Sequence, residues 1–156
     1  MLLLTAILVG LTAGLFFAWS CSVVPGLGRL PDDQYIQAFQ SLNRAIQNPV
    51  FFLCFIGSVI VLPVSAWMHH GQPMRFWLLV AATLVYLVGV IGITGLGNVP
   101  LNEALDKLDV KGMTMAQLAE QRRLFEGSWN GLNNWRTGAC VVTFVLTLLA
   151  FEKTIL

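Results

Sequence analysis

Residues 2–24 read LLLTAILVGLTAGLFFAWSCSVV and contain no charged side chain. A helix needs about 20 mostly apolar residues to cross the hydrocarbon core of a bilayer. Three further runs without Asp, Glu, Lys, Arg or His approach that length, at 49–68, 76–97 and 137–151. With the last run extended back to Trp135, the sequence predicts an all-α fold, a four-helix transmembrane bundle. This is a single integral-membrane domain over residues 1–156, with spans at about 2–24, 49–68, 76–97 and 135–151.

The composition agrees with a multi-pass membrane protein. Charged residues make up 11% of the chain and hydrophobic residues 56%, whereas a soluble domain carries about 25% charged residues. Nine Lys and Arg against eight Asp and Glu give a net charge of +1, which excludes a basic surface for nucleic acid. The first run lacks a positively charged start, so we interpret it as a span rather than a cleaved signal peptide.

The cysteines and histidines do not indicate a metal or cofactor site. Cys21, Cys54 and Cys140 lie far apart in apolar runs without a C-x-x-C spacing, which is typical of buried small side chains. His69 and His70 are consecutive and therefore do not share a helix face. We expect no bound metal and no cofactor.

The first long connection, residues 25–48, is predicted to contain a short amphipathic helix after Pro31. Apolar residues recur there at helical spacing, and Asn48-Pro49 begins the second span. This connection and residues 98–136 are expected on one side of the membrane. Arg75 and Lys153 flank spans on the other side, so the positive charges leave the orientation open.

The second long connection is predicted to hold two further short helices. Asn98 is expected to cap the first, with Pro100 in its first turn. Thr114 and Gln117 form a capping box for the second. That helix is expected to end at Gly127, and Ser128 to cap the helix that continues into the fourth span.

Amide and guanidinium side chains converge where the long connections meet the spans. They are Gln40, Asn43, Asn48, Asn98, Asn102, Asn133 and Arg136. Trp129, Asn133 and Arg136 are spaced i, i+4, i+7 and therefore share one helix face. An arginine this close to an apolar run is costly unless it is paired or hydrated. Together these groups predict a pocket for a planar oxygenated ligand, or for one that becomes anionic.

A structural interpretation stays open for each of these residues taken singly. Asn98 and Asn102 can be caps and turn formers, Arg136 can extend to the membrane interface, and Trp129 can be an interfacial anchor. Ser20 and Ser22 have no histidine base nearby in the pattern, so nucleophilic catalysis is not indicated. The spans also lack an ionisable relay, which argues against a proton pump or an ion-coupled transporter.

Four sequence elements follow one another along the chain. They are Phe17-Ala18-Trp19-Ser20 with Val24-Pro25, Gln40 to Asn43 with Asn48-Pro49, Gly97-Asn98-Val99-Pro100-Leu101-Asn102, and Trp129-x-x-x-Asn133-x-x-Arg136-Thr137. Together they resemble the anthrone oxygenase family, small four-span membrane proteins with many bacterial members. The resemblance implies oxidation of a polyketide anthrone to an anthraquinone with dioxygen, without metal or flavin. It also implies an integral multi-pass protein, expected in the bacterial inner membrane.

The residues that the resemblance carries over as pocket candidates are Asn98, Pro100, Asn102, Trp129, Asn133 and Arg136. An anthrone loses a proton to give an aromatic enolate that can reduce dioxygen directly, so the protein need only bind the ring and stabilise the oxyanion. Our catalytic candidates are Arg136, at the developing oxyanion, and Asn133. Asn133 and Asn98 orient the ligand and Trp129 stacks on it, and no general base is identified. The remaining substrate-binding candidates are Asn102, Asn43 and Gln40.

The alternative is a non-enzymatic accessory or scaffold protein that packs against a larger membrane complex. The charge-free spans and the missing base favour this interpretation. The expected partners are the lipid bilayer and a lipophilic aromatic small molecule, with no nucleic acid. A homo-oligomer or a larger membrane complex remains a further alternative.

Overall fold

The computed structural model describes residues 1–152, so that Lys153, one of the charges weighed for the orientation, lies outside the described residues. In the described range the chain forms five long helices and no strand. They are α1 (Leu2–Leu27), α2 (Asp32–Ala45), α3 (Pro49–Met68), α4 (Pro73–Asp106) and α5 (Met115–Glu152). A short 3₁₀ turn, Val110–Gly112, lies between α4 and α5.

Four of these helices, α1, α3, α4 and α5, are long and apolar enough to cross a membrane. The predicted four-span, all-α bundle is therefore confirmed. α1 contacts α3 and α5, and α4 contacts the same two helices, so the spans form a ring with α1 diagonal to α4. We call the end of the ring that carries α2 the connection end. The opposite end, with the tight turn 69–72 between α3 and α4, is the hairpin end.

Local sequence explains both ends of α3. The Oδ1 atom of Asn48 accepts hydrogen bonds from the backbone nitrogens of Val50 and Phe51, each at 3.0 Å. This satisfies two of the four amide groups that a helix start leaves without an internal partner. At the other end, the Nδ1 atom of His69 lies 2.7 Å from the carbonyl oxygen of Ser65. The side chain of His69 therefore contacts the backbone in the last turn of α3, as expected for a histidine at a helix end.

Of the predicted caps in the second connection, the capping box at Thr114 is confirmed and the cap at Asn98 is wrong. The backbone nitrogen of Thr114 donates to Oε1 of Gln117 at 2.8 Å, and the reciprocal bond measures 3.4 Å. Asn98, however, caps nothing, because α4 runs through it in a π-helical turn, Thr94–Asn98. Its side chain is fully buried and donates to the carbonyl oxygen of Trp129 at 3.4 Å. The asparagine is thus part of the helix interface.

The predicted stop at Gly127 and cap at Ser128 are also wrong. α5 is continuous from the second connection through the fourth span. Phe125 and Trp129, one turn apart across the glycine, are both buried in the aromatic cluster at the connection end. A glycine inside a helix costs only about 1 kcal/mol relative to alanine, and burial of two large aromatic side chains outweighs that cost.

The spans pack closely toward their middle and expose apolar side chains outward. A Cβ atom placed on Gly89 of α4 would lie 2.6 Å from the Cβ atom of Ala139 of α5, so the close approach of these helices depends on the glycine. Trp67 and Trp77 are exposed near the hairpin end, and Trp135 is exposed toward the connection end. Exposed tryptophans at both ends are typical of the two membrane interfaces.

Candidate functional site

A cavity of about 400 Å³ lies at the connection end and is bounded by all five helices. This volume falls within the range of about 300–1,000 Å³ that small-molecule sites occupy. Its predicted residues are Asn43, Asn102, Trp129 and Arg136. Its other lining residues include Leu15, Phe16, Trp19, Arg44, Phe51, Phe52, Thr94, Val99, Glu103, Asp106 and Lys107. Apolar rings and a few polar groups therefore share one chamber.

Arg136 is the most unusual polar group of this cavity. Its side chain is only 6% exposed, and none of the ion pairs among residues 1–152 includes it. One terminal nitrogen donates to Oδ1 of Asn133 at 2.7 Å and the other to Oγ1 of Thr94 at 3.3 Å, while Nε is buried without a partner. The guanidinium carbon lies 4.0 Å from the ring centre of Phe16. The guanidinium is therefore enclosed by the protein and is not presented at its outer surface.

Asn133 stands behind Arg136 and fixes the orientation of its guanidinium. The amide oxygen of Asn133 accepts from Arg136, and its amide nitrogen donates to Oγ of Ser20 at 2.9 Å. The hydroxyl of Ser20 in turn lies 2.9 Å from that of Thr137, which donates to the carbonyl oxygen of Asn133 at 2.8 Å. A reversed amide would place an N–H donor against the N–H of Arg136, so the contact with Arg136 fixes this arrangement.

Trp129 forms an aromatic wall of the cavity. Its Nε1 atom donates to Oδ1 of Asn102 at 2.7 Å, which fixes the plane of the indole. The ring packs against Trp19 and Phe39, with centroid separations of 5.5 and 4.8 Å. A flat ring held this firmly provides a surface on which a second aromatic ring can stack.

Two of the predicted binding residues do not line the cavity. Both amide contacts of Gln40 go to backbone carbonyls, Leu105 at 2.8 Å and Leu108 at 3.1 Å, and join α2 to the end of α4. Asn98 is buried between α4 and α5, and its Oδ1 atom has no partner. Both residues support the walls of the chamber. Asn48, the remaining amide of the predicted set, caps α3.

The sequence pattern gave no indication of several residues that complete the site. Phe16 and Thr94 lie in apolar runs, where they look like ordinary span residues. The backbone is π-helical at Trp19–Val23 and Thr94–Asn98, and such turns often occur at functional sites. Residues within apolar runs become recognisable as site residues only once the helices are assembled around Arg136.

The rim of the cavity carries charged side chains. Nε of Arg44 lies 2.8 Å from Oδ1 of Asp106, with both side chains substantially exposed. Glu103 and Lys107 also line the cavity, and neither takes part in the ion pairs found among residues 1–152. In the same range, no group of three His, Cys, Asp or Glu side chains is arranged to hold a metal ion.

Comparison with known proteins identifies the family. The family model described as anthrone oxygenase matches residues 39–146, more than half of the chain. The chain belongs to the anthrone oxygenase family. No curated protein and no solved structure matches it. Three of the four sequence elements named above lie within the matched range, and the element Phe17 to Pro25 lies before it.

Proposed function

We propose that this member of the anthrone oxygenase family is a membrane oxidoreductase that uses dioxygen to oxidise a flat, lipophilic aromatic ketone. The family match and the ring-lined cavity support the reaction class and the size of the ligand. The observation that carries the proposal is Arg136, a buried cation with an unpaired Nε and no carboxylate partner among the described residues. A buried charge of this kind is costly unless a bound anion compensates it. The bacterial inner membrane is the proposed location.

The chemistry follows from the acidity of the substrate. The methylene carbon opposite the ketone of an anthrone loses a proton, because the resulting enolate is fully aromatic. The enolate reduces dioxygen, and a C–O bond forms at that carbon to give a peroxide. Loss of the second proton from the carbon, with cleavage of the O–O bond, gives the second ketone and one water. One anthrone and one dioxygen therefore yield one anthraquinone and one water.

In this proposal Arg136 stabilises the enolate oxygen, and Asn133 orients Arg136. A donor aimed at the charge that develops in a water-poor site contributes roughly 3 kcal/mol to catalysis. Trp129 provides the stacking surface, and Asn102, which holds the indole, completes the binding wall. Asn43 lines the same chamber from α2.

Glu103 is our candidate for the proton acceptor. Two carboxylates line the cavity, and Asp106 is already paired with Arg44. Glu103 lies on α4 one turn from Asp106 and takes part in none of the ion pairs among residues 1–152. A carboxylate at the rim can accept a proton and return it to water.

The test is turnover of anthrone by the purified protein in lipid vesicles under air. Quinone absorbance and dissolved oxygen are followed together, and protein-free vesicles give the spontaneous oxidation rate. We expect one quinone for each dioxygen consumed, well above the spontaneous rate. Arg136→Ala should lower turnover by about 100-fold or more. Arg123→Ala is the matched control, because Arg123 is an exposed arginine on the same helix, paired with Glu120 at 2.7 Å.

Two results would contradict the proposal. One is a rate for the unmodified protein equal to that of empty vesicles. The other is equal turnover in the Arg136→Ala and unmodified proteins. A stoichiometric partner protein retained on gentle purification, together with the first result, would instead support the accessory-subunit alternative.

A further inference from the structure

The cavity has one side at which two spans separate. α3 packs against Pro73–Tyr86, the first half of α4, and makes few contacts with the second half of that helix. The hydroxyl of Tyr86 donates to the carbonyl oxygen of Phe55 at 2.8 Å where the two helices still touch. Farther toward the connection end, Phe51 and Phe52 of α3 and Thr94 and Val99 of α4 line the cavity. We call this separation the α3–α4 opening.

The end of the cavity toward the aqueous connections is partly covered by α2. Gln40 of α2 donates to the carbonyl oxygens of Leu105 and Leu108, beyond the cavity. Arg44 of the same helix is paired with Asp106 at 2.8 Å. These three contacts join α2 to the end of α4 and to Leu108 just beyond it, so α2 covers part of this end of the chamber.

The stretches of α3 and α4 that line the cavity also carry exposed apolar side chains. Val50 and Leu53 on α3 are 73% and 65% exposed, and Leu96 on α4 is 89% exposed. Exposed apolar side chains of a spanning helix face lipid acyl chains, whereas a water-filled entrance would carry polar groups. The opening therefore faces the bilayer.

The depth of the opening suits an amphiphilic ring. Trp135 is exposed and directly precedes Arg136, so Arg136 lies at the level where tryptophans mark the membrane interface. A polycyclic ketone with one ionisable oxygen prefers the same level, with its rings among the acyl chains and its oxygen toward the headgroups.

We propose that the α3–α4 opening is the route by which a lipophilic aromatic ligand passes between the bilayer and the cavity. The ligand moves sideways from the interface, rings first between Phe52 and Val99, and its oxygen reaches Arg136. This inference rests on the proposed function for the class of ligand. It adds the source of the ligand, a membrane leaflet, and the two residues that control its passage.

Binding kinetics separate a route from a binding contact. A side chain that only obstructs a route changes the association and dissociation rates by the same factor. Kd, the ratio of the two rate constants, then stays the same, because the free and the bound protein are unaltered. The probe is 1,8-dihydroxyanthraquinone, followed through its own fluorescence. Association of the probe is measured by stopped flow with proteoliposomes. Its dissociation is measured by displacing the bound probe with excess anthrone.

Val99→Trp narrows the opening and should slow association and dissociation by about tenfold each, with Kd within about twofold of the unmodified value. Phe52→Ala widens it and should accelerate both rates, which keeps the test valid if the bulky variant fails to fold. Lys107→Trp adds the same indole at the aqueous rim of the cavity and therefore tests entry from water. The matched control is Arg123→Trp, which adds an indole at an exposed residue of α5 outside the cavity lining. We expect unchanged rates for both.

Different failures have different meanings. Slowing by Lys107→Trp, with normal rates in both opening variants, would overturn the lateral route and indicate access from water. A change of Kd with a constant association rate in Val99→Trp and Phe52→Ala would also overturn it. If the unmodified protein binds no probe at all, the proposed ligand class fails, and the route fails with it.

Discussion

The bundle contains a deeply buried arginine toward each end, and the two have different surroundings. Arg75, at the hairpin end, is 5% exposed and donates to the carbonyl oxygen of Ala150 at 2.9 Å, in the last turns of α5. A backbone carbonyl oxygen is a suitable acceptor for such a cation. Arg136, at the connection end, is 6% exposed, but its side chain lines a cavity and its Nε atom has no partner.

The difference shows how a buried cation can be assigned to structure or to function. Arg75 donates to a backbone carbonyl oxygen of α5, so the protein itself accounts for its position. The contacts of Arg136 are to neutral groups, Asn133, Thr94 and the ring of Phe16. These contacts orient the guanidinium but do not neutralise its charge. A ligand that becomes anionic would supply what is missing.

The largest expected effect is therefore that the two alanine variants lose different properties: Arg136→Ala loses turnover, and Arg75→Ala loses stability. Arg136→Ala should lower anthrone turnover by about 100-fold or more while thermal unfolding changes little. Arg75→Ala should lower the free energy of unfolding by about 1.5–3 kcal/mol, the value of a hydrogen bond with a charged donor, while turnover per folded molecule stays constant. Turnover in vesicles and unfolding in detergent measure both quantities on the same preparations.

Arg136→Lys sharpens this first comparison. Lysine keeps the charge but has no planar fork, so the contacts to Asn133 and Thr94 cannot both persist. Partial recovery of turnover relative to Arg136→Ala is expected. If Arg75→Ala instead abolishes turnover while the protein remains folded, the assignment of the two arginines to different roles is wrong.

Sequence alone predicted the spans, because a run of some 20 apolar residues has few stable alternatives to a membrane helix. It also predicted that Asn48-Pro49 begins the second span, and it predicted the capping box at Thr114, since both depend on residues within one helical turn. The boundaries at Asn98 and Gly127 were not predictable from local pattern. Both lie where tertiary packing carries a helix through residues that usually end one.

The candidate site was predictable only in part, for a physical reason. Arg136, Trp129 and Asn102 are polar or amphipathic residues beside apolar runs, so their placement stands out in the sequence. Phe16 and Thr94 do not stand out, because their roles arise from the crossing of α1 and α4 with α5. Gln40 carries the same amide group as Asn43, yet only the structure shows that one ties helices together while the other faces the cavity.

The second prediction concerns the close approach that holds α4 beside α5. Gly89→Ala should lower the free energy of unfolding by about 1–3 kcal/mol, because the new methyl group would lie 2.6 Å from Cβ of Ala139. Gly138→Ala, on the facing helix, is the control, since a Cβ there meets no atom within 4 Å. Equal stability of the two variants, measured by thermal unfolding, would show that the helices separate at little cost.

A third prediction compares two serines at opposite ends of the bundle, half-buried Ser20 and buried Ser65. Ser20 accepts from the amide of Asn133, behind Arg136, and Ser65 lies 2.7 Å from the hydroxyl of Thr5 near the hairpin end. Ser20→Ala should reduce turnover by about fivefold, which corresponds to the roughly 1 kcal/mol of one hydrogen bond. Ser65→Ala should affect stability by a similar amount and leave turnover unchanged.

Ser20→Thr keeps the hydroxyl and should restore most of the turnover lost in Ser20→Ala. The readout is the ratio of kcat between the two variants at saturating anthrone. Equal kcat in Ser20→Ala and the unmodified protein would mean that Asn133 holds Arg136 without support from α1.

The smallest expected effect concerns Tyr35, and it tests whether a buried polar atom without a partner at the connection end must contact the ligand. The hydroxyl of Tyr35 is buried without a partner, but Tyr35 does not line the cavity. Burial, and then the negative charge of Glu126, raise the pKa of Tyr35 above its ordinary value, while Arg122 over the ring partly opposes them. The folded protein therefore keeps this proton at a pH where the unfolded chain releases it.

Because the pKa of Tyr35 is raised in the folded state, its contribution to the free energy of unfolding is fully present below the ordinary tyrosine pKa of about 10. That contribution is lost as the pH rises above this value. Tyr35→Phe removes the titrating group, so its stability should fall less than that of the unmodified protein between pH 8 and pH 11. Near neutral pH it should gain about 1 kcal/mol, because a buried hydroxyl without a partner is costly. Turnover at pH 8 should not change. An alkaline loss of stability equal in both proteins would show that Tyr35 reaches water, and a lost turnover would place its hydroxyl among the groups that serve the ligand.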